Sequence, residues 1–166
     1  MIFAILWSPT ISAKECPGNN PDCLQLYERW DIKGFYYAAE QSLTTKSGNI
    51  AQSLKNSNTD TVAKDPDTLP ANANVVAVYL YWAGARETPD KTVNFRTPGM
   101  VTAQSVTADR CYVDSDNRTG SISKNFYNCR ANVINLFTPG VNHFGTYEVS
   151  GVDAVILPGG NACSTT

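Results

Sequence analysis

The chain has 166 residues, with 13 Lys and Arg against 15 Asp and Glu, and a formal net charge of −2. Only 17% of its residues are charged, so it has no electrostatic basis for holding nucleic acid or an anionic membrane, both of which call for a basic surface. The length suits one domain whose core stands without metal or cofactor.

Met1 to Ala13 is an apolar run closing in small residues, with Lys14 as the first charge. This looks like the hydrophobic region and cleavage site of a secretory signal peptide, which predicts a cut after Ala13 and a single domain over 14–166. The run is too short to span a bilayer. No Lys or Arg precedes it, so the true start is expected upstream or Met1 is internal; a first strand of the fold is the alternative.

Five cysteines, Cys16, Cys23, Cys111, Cys129 and Cys163, fit a secreted chain. None has the CxxC spacing of zinc or redox sites. Cys16 and Cys23 flank the turn-rich Pro17 to Pro21, and Cys111 with Cys129 would clamp the ends of a hairpin-like excursion. Cys163 is left unpaired in this chain, after the Pro158-Gly159-Gly160 turn. The expectation is a fragment whose closing element lies beyond Thr166, with a free or intermolecular thiol as the rival.

Leu24 to Asp31 reads equally as helix or strand. Gly34 to Thr45 is a strand candidate, and Gly48 to Asn74 is polar enough to predict a long surface excursion with one turn of helix near Ile50 to Leu54. Val75 to Gly84 follows, ten residues without a charge. Val76, Val78, Leu80 and Trp82 fall on one side of an extended chain, with Val75, Ala77, Tyr79, Tyr81 and Ala83 on the other. Apolar residues on both sides predict a central strand covered front and back. Thr92 to Arg96 is a short strand stopped by Pro98-Gly99, and Met100 to Ala108 a one-sided or edge strand. Asp114 to Gly120 is a loop tip, Asn125 to Phe137 returns into the body, and Gly145 to Gly151 is the last strand. About six or seven short strands separated by turn signals, with almost no helical periodicity, predict an all-β two-sheet sandwich or jelly roll.

Five blocks follow one another: Val78-Tyr79-Leu80-Tyr81-Trp82-Ala83-Gly84, Val93-Asn94-Phe95-Arg96-Thr97-Pro98-Gly99, Val106-Thr107-Ala108, Tyr127 to Phe137, and Gly145-Thr146-Tyr147-Glu148-Val149. In that order they resemble the N-terminal β-sandwich domain of bacterial secreted and cell-surface adhesin-like proteins that precedes repeat domains. Asn132 and Ile134 stand where that pattern has Asp and Thr. The resemblance implies a secreted sandwich with no known catalytic residues, followed by a further strand that this chain stops before.

The residues offer little chemistry of their own. His143, the sole histidine, lies in a turn-rich loop without a Gly-x-Ser-x-Gly elbow, so a solvated loop side chain is expected. Glu28, Asp31, Glu40, Glu87, Asp109 and Glu148 supply carboxylates, but no spacing pairs two of them for glycoside hydrolysis. Asp114 to Gly120 opens like a calcium loop, yet places Arg118 where an oxygen ligand belongs. Asn117-Arg118-Thr119 is a glycosylation acceptor in a host with that machinery. Trp82 is expected in the core, and Trp30, between Arg29 and Asp31, is the candidate for stacking on a sugar. The function expected is a non-catalytic secreted or surface module with a structural or adhesive role toward an unknown extracellular protein or glycan. The alternative is a carbohydrate-binding or glycan-acting domain. No catalytic, metal or cofactor residue is expected.

Overall fold

Thr92–Arg96 shows how the strands arise: Val93 and Phe95 alternate with Thr92 and Asn94, so one side of the extended chain is apolar and the other wet. In the computed structural model, which describes residues 36–48, 50–63, 74–114, 125–138 and 143–156, that alternation recurs and builds an all-β fold. All described residues fall within the unit spanning 32–166. The strands are β1 (Thr44–Ser47), β2 (Ile50–Leu54), β3 (Ser57–Val62), β4 (Tyr79–Arg86), β5 (Thr92–Arg96), β6 (Gln104–Thr107), β7 (Arg110–Asp114), β8 (Asn125–Asn132) and β9 (Gly145–Ser150). A short 3₁₀ turn at Ile134–Leu136 is the one helical element among the described residues.

All pairings are antiparallel. β1 and β2 form a hairpin; β3, β9, β5 and β6 form one sheet in that order, and β4, β8 and β7 another. The inner faces of the last two supply one core of Trp82, Val93, Phe95, Val106, Tyr127, Cys129 and Ala131, joined by Val133 and Val152 from the connections. Burying a side chain of the larger kind stabilises by about 1.5–3 kcal/mol, so this shared layer is what holds the two sheets face to face.

The ten-residue apolar run departs from its expected place. Its ladder begins only at Tyr79, and β8 is the one strand that β4 pairs with, at the sheet edge. Val75 and Val76 precede the strand and are exposed, and Tyr81 and Ala83 face water. The strand is therefore covered on one side only. Its outward tyrosines are amphipathic, with rings that pack on neighbours and hydroxyls that stay wet.

The described part of the polar stretch after Gly48 also differs from expectation, since residues 50–63 form β2 and β3 with no helical turn; residues 64–73 lie outside the described residues. Thr59 and Thr61 turn outward in register with Glu148 and Thr146, and Asn58 donates to the Gln41 side chain and the Ser42 carbonyl. An edge strand with one wet face needs no apolar run. Among the described residues, the strand expected over Gly34 to Thr45 is regular only from Thr44, and that expected over Met100 to Ala108 only over Gln104–Thr107. Residues 1–31, with the expected cleavage at Ala13, and residues 157–166 lie outside the described residues.

After β9 the chain crosses to the other sheet. Gly151, at φ 75°, makes the bend that an L side chain resists, Val152 enters the core, and the Val155 N–H bonds the Ala85 carbonyl at 2.7 Å. Gly84 permits this approach, because a Cβ there would lie 2.8 Å from both the Ala154 Cβ and the Tyr127 hydroxyl. Asp90 fastens the corner: its carboxylate accepts the N–H groups of Thr92 and Asp153, and its carbonyl accepts the Trp82 indole N–H at 2.8 Å.

Tyr127 completes the corner by donating to the Asp153 carbonyl at 2.8 Å. Burial, with the nearby charges of Asp90 and Asp153, pushes its phenol up to about 12. The unfolded phenol ionises near its ordinary value of 10.0, so the folded state holds its proton to higher pH. Stability is full below about pH 10 and is lost as pH rises toward 12. Equilibrium urea unfolding across that window should show a steeper loss for the native chain than for Tyr127→Phe. At neutral pH the same variant should cost about 1 kcal/mol, the worth of one hydrogen bond.

Candidate functional site

Cys111 and Cys129 are bonded to each other, as the sequence spacing anticipates. They stand directly opposite in the β7–β8 register, and both belong to the inner side of the sheet. This fixes which residues look outward. On β8, Tyr127, Cys129 and Ala131 point into the core, so Phe126, Asn128, Arg130 and Asn132 point away. On β7 the outward pair is Arg110 and Tyr112, and on β4 it is Tyr79 and Tyr81.

The outward face is therefore aromatic and cationic. Tyr81, Arg130 and Arg110 form a row across the three strands. The Arg110 guanidinium lies 4.8 Å from the Tyr112 ring centroid, and that of Arg130 lies 6.0 Å from the Tyr79 centroid. Both fall within cation–π range. Arg130 is only 7% exposed, while Tyr81 is 60% and Phe126 56% exposed. The arginine is held down by its neighbours while two rings remain open to a partner.

The four-stranded sheet presents a different outer surface. Thr59, Thr61, Thr92, Asn94, Ser105, Thr107, Thr146 and Ser150 surround one ion pair in which Arg96 donates twice to Glu148. The Thr61 and Thr146 hydroxyls bond each other at 3.1 Å. Its charged groups satisfy one another, so this surface offers a ligand little.

His143 lies beside a small cavity of about 120 Å³ lined by Thr97, Gly99, Met100, Leu136, Thr138 and itself. Its ring rests against Phe137, and its carbonyl accepts the Tyr147 hydroxyl. The described lining offers hydroxyls and a thioether but no carboxylate to orient the imidazole.

The carboxylates considered from sequence are dispersed. Glu148 pairs with Arg96, Asp109 accepts the Asn132 N–H, and Glu40 and Glu87 are exposed on separate segments. Among the described residues no three His, Cys, Asp or Glu side chains gather as metal ligands. Trp30, Glu28, Asp31, Cys16, Cys23 and Cys163 lie outside the described residues, as does most of the calcium-like loop, with Asn117. Asn132 Oδ1 accepts the Ile134 N–H at 3.1 Å and so opens the 3₁₀ turn, a local bond that aspartate also makes.

Sequence reasoning missed the Tyr79, Tyr81, Arg110, Tyr112, Phe126 and Arg130 face. Its signal was the alternation of Phe126, Asn128, Arg130 and Asn132 against Tyr127, Cys129 and Ala131. Among the described residues no helix is long and apolar enough to cross a membrane. The chain matches no family model, no curated protein and no solved structure.

Proposed function

We propose that this chain is a secreted or cell-surface β-sandwich module that works without catalysis, in a structural or adhesive role. The observation that carries the reading is the outward face of the β4–β8–β7 sheet, where exposed Tyr81 and Phe126 flank arginines seated on tyrosine rings. Tyrosine and arginine are the residues that dominate binding energy at protein interfaces. The Cys111–Cys129 bond supports an oxidising compartment. Carbohydrate recognition is the second reading, favoured by the same open rings, which present flat apolar surface with a polar rim.

Attachment of the purified full chain to intact cells and to extracellular matrix tests the first reading. Binding that excess sugar does not compete away supports a protein partner. Loss of glycan-array binding on Trp30→Ala would move the assignment to a sugar site at that residue. Turnover of an ester or glycoside that disappears on replacing Glu28 or His143 would overturn the non-catalytic reading.

A further inference from the structure

A strand that ends a sheet leaves a row of backbone N–H and carbonyl groups able to take up another strand. Among the described residues the two larger sheets end at β3 and β6 and at β4 and β7. Charge, proline and shortness are what guard such an edge. β3 carries Asp60, β7 carries Arg110 and Asp114, and β6 is only four residues long. β4 has none of these guards: it runs for eight residues, with no charge and no proline from Tyr79 to Ala85.

Two hydrogen bonds fix which of its backbone groups face the open side. Residues of an antiparallel pair alternate between those that exchange backbone bonds with the neighbour and those whose groups point the other way. The Val133 N–H bonds the Val78 carbonyl at 2.9 Å, in the β4–β8 register. Leu80, Trp82 and Gly84 therefore bond β8, and Tyr79, Tyr81, Ala83 and Ala85 turn their N–H and carbonyl groups outward from the sheet edge. The Val155 N–H on the Ala85 carbonyl agrees, and it shows that this edge accepts backbone partners. Tyr81 and Ala83 are exposed, and among the described residues no backbone bond reaches them from that side.

Charge and symmetry say what fits there. A neutral strand meets no repulsion from its own copy, and antiparallel self-pairing needs only a twofold axis through one residue. An axis at Tyr81 keeps the paired stretch clear of the Val155 bond at Ala85. In that register Leu80, partly buried at the margin of the core, comes opposite Trp82 of the second copy, an aliphatic and aromatic pair of the kind that stabilises sheets. On the outer side Tyr81 lies beside Tyr81 of the second copy, with the small Ala83 diagonal to the ring.

We propose that β4 pairs with β4 of a second copy of this chain, joining two three-stranded sheets into one continuous sheet. One edge pairing of this length makes a small interface, so the dimer is weak and reversible. The inference stands apart from the adhesive reading.

Sedimentation velocity of the full chain over a concentration series should show a monomer–dimer equilibrium. Hydrogen exchange over the same series should show the Tyr81 and Ala83 amides slowing as concentration rises, while those of Leu80 and Trp82, already bonded to β8, stay unchanged. Ala83→Lys should raise the dissociation constant at least tenfold with circular dichroism unchanged, and Thr107→Lys, on the exposed β6 edge, should leave it unaltered. Ala83→Pro removes an N–H that β8 does not use and should give the same loss, which keeps the test intact if the charged variant fails to fold. A chain that stays monomeric at its highest soluble concentration overturns the proposal. So does association that Ala83→Lys and Ala83→Pro leave untouched, which would place the interface elsewhere. Protection of Tyr81 and Ala83 that is independent of concentration overturns it as well, since the edge would then be covered within one chain.

Discussion

Replacing Cys111 and Cys129 together by alanine should destabilise the fold by about 3 kcal/mol, the chain-entropy value for a loop of this size. The sequence separation is 18 residues, so without the bond the unfolded chain regains the freedom of that whole excursion. Cys129 has no exposed surface, so serine at that position would add a buried hydroxyl to the loss of the bond, and alanine gives the cleaner measurement. Thermal unfolding should shift down by roughly 10 °C for a domain of this size. Reduction reports the same coupling: dithiothreitol should act more slowly on the folded protein than in urea, because Cys129 has no exposed surface and Cys111 is only partly exposed. A double variant that unfolds at the native midpoint would mean that the β7–β8 register is held equally well by its backbone ladder.

Trp82→Ala should cost more, about 3–5 kcal/mol, the range for truncating a buried aromatic side chain. Trp82 is 5% exposed, packs in the core between the sheets, and donates its indole N–H to the Asp90 carbonyl. Trp82→Phe separates these contributions. It retains most of the apolar ring and loses the hydrogen bond, for an expected cost of about 1–2 kcal/mol. Urea unfolding followed by circular dichroism, which does not depend on the tryptophan removed, gives both values. Equal costs for the two variants would place the stabilisation in the hydrogen bond and the Asp90 corner rather than in packing.

The class of the fold was legible because alternation is a local property. Val93 and Phe95 against Thr92 and Asn94 announce a half-wet strand without reference to any other residue, and β5 has the bounds read from sequence. The location of a strand within a sheet is not local. Val75 to Gly84 has the composition of a central strand, but the sides of Tyr79 and Tyr81 that read as apolar meet arginine and water. Hydropathy scores a phenol by its ring and misses its tip. β3 erred in the opposite sense: Ser57 to Val62 reads as loop from its polar residues, yet its threonines face solvent and its inner polar groups find partners in residues 40–42.

The disulfide was legible as a pairing of two cysteines at hairpin spacing. The candidate face was not, because β4, which brings Tyr79 and Tyr81, is separated in the chain by β5 and β6 from the β7 and β8 that carry the arginines. Arg110 and Arg130 are 20 positions apart in sequence, and only the register makes them neighbours. Trp30, the residue singled out for stacking, owed its selection to tryptophan being the conspicuous aromatic residue. The exposed rings on the face are instead tyrosine and phenylalanine.

The crossing after β9 bears on how the molecule carries load. A pull on the backbone at residue 156 enters through Val155 at Ala85, and then through Asp153 to Arg86 and the Tyr127 hydroxyl, all of them on β4 and β8. Those ties are individually weak and would peel in succession. Further sliding of β8 along β7 is stopped by the Cys111–Cys129 bond, so extension would halt there with Tyr112 and Asn128, and Asp114 and Phe126, still in register.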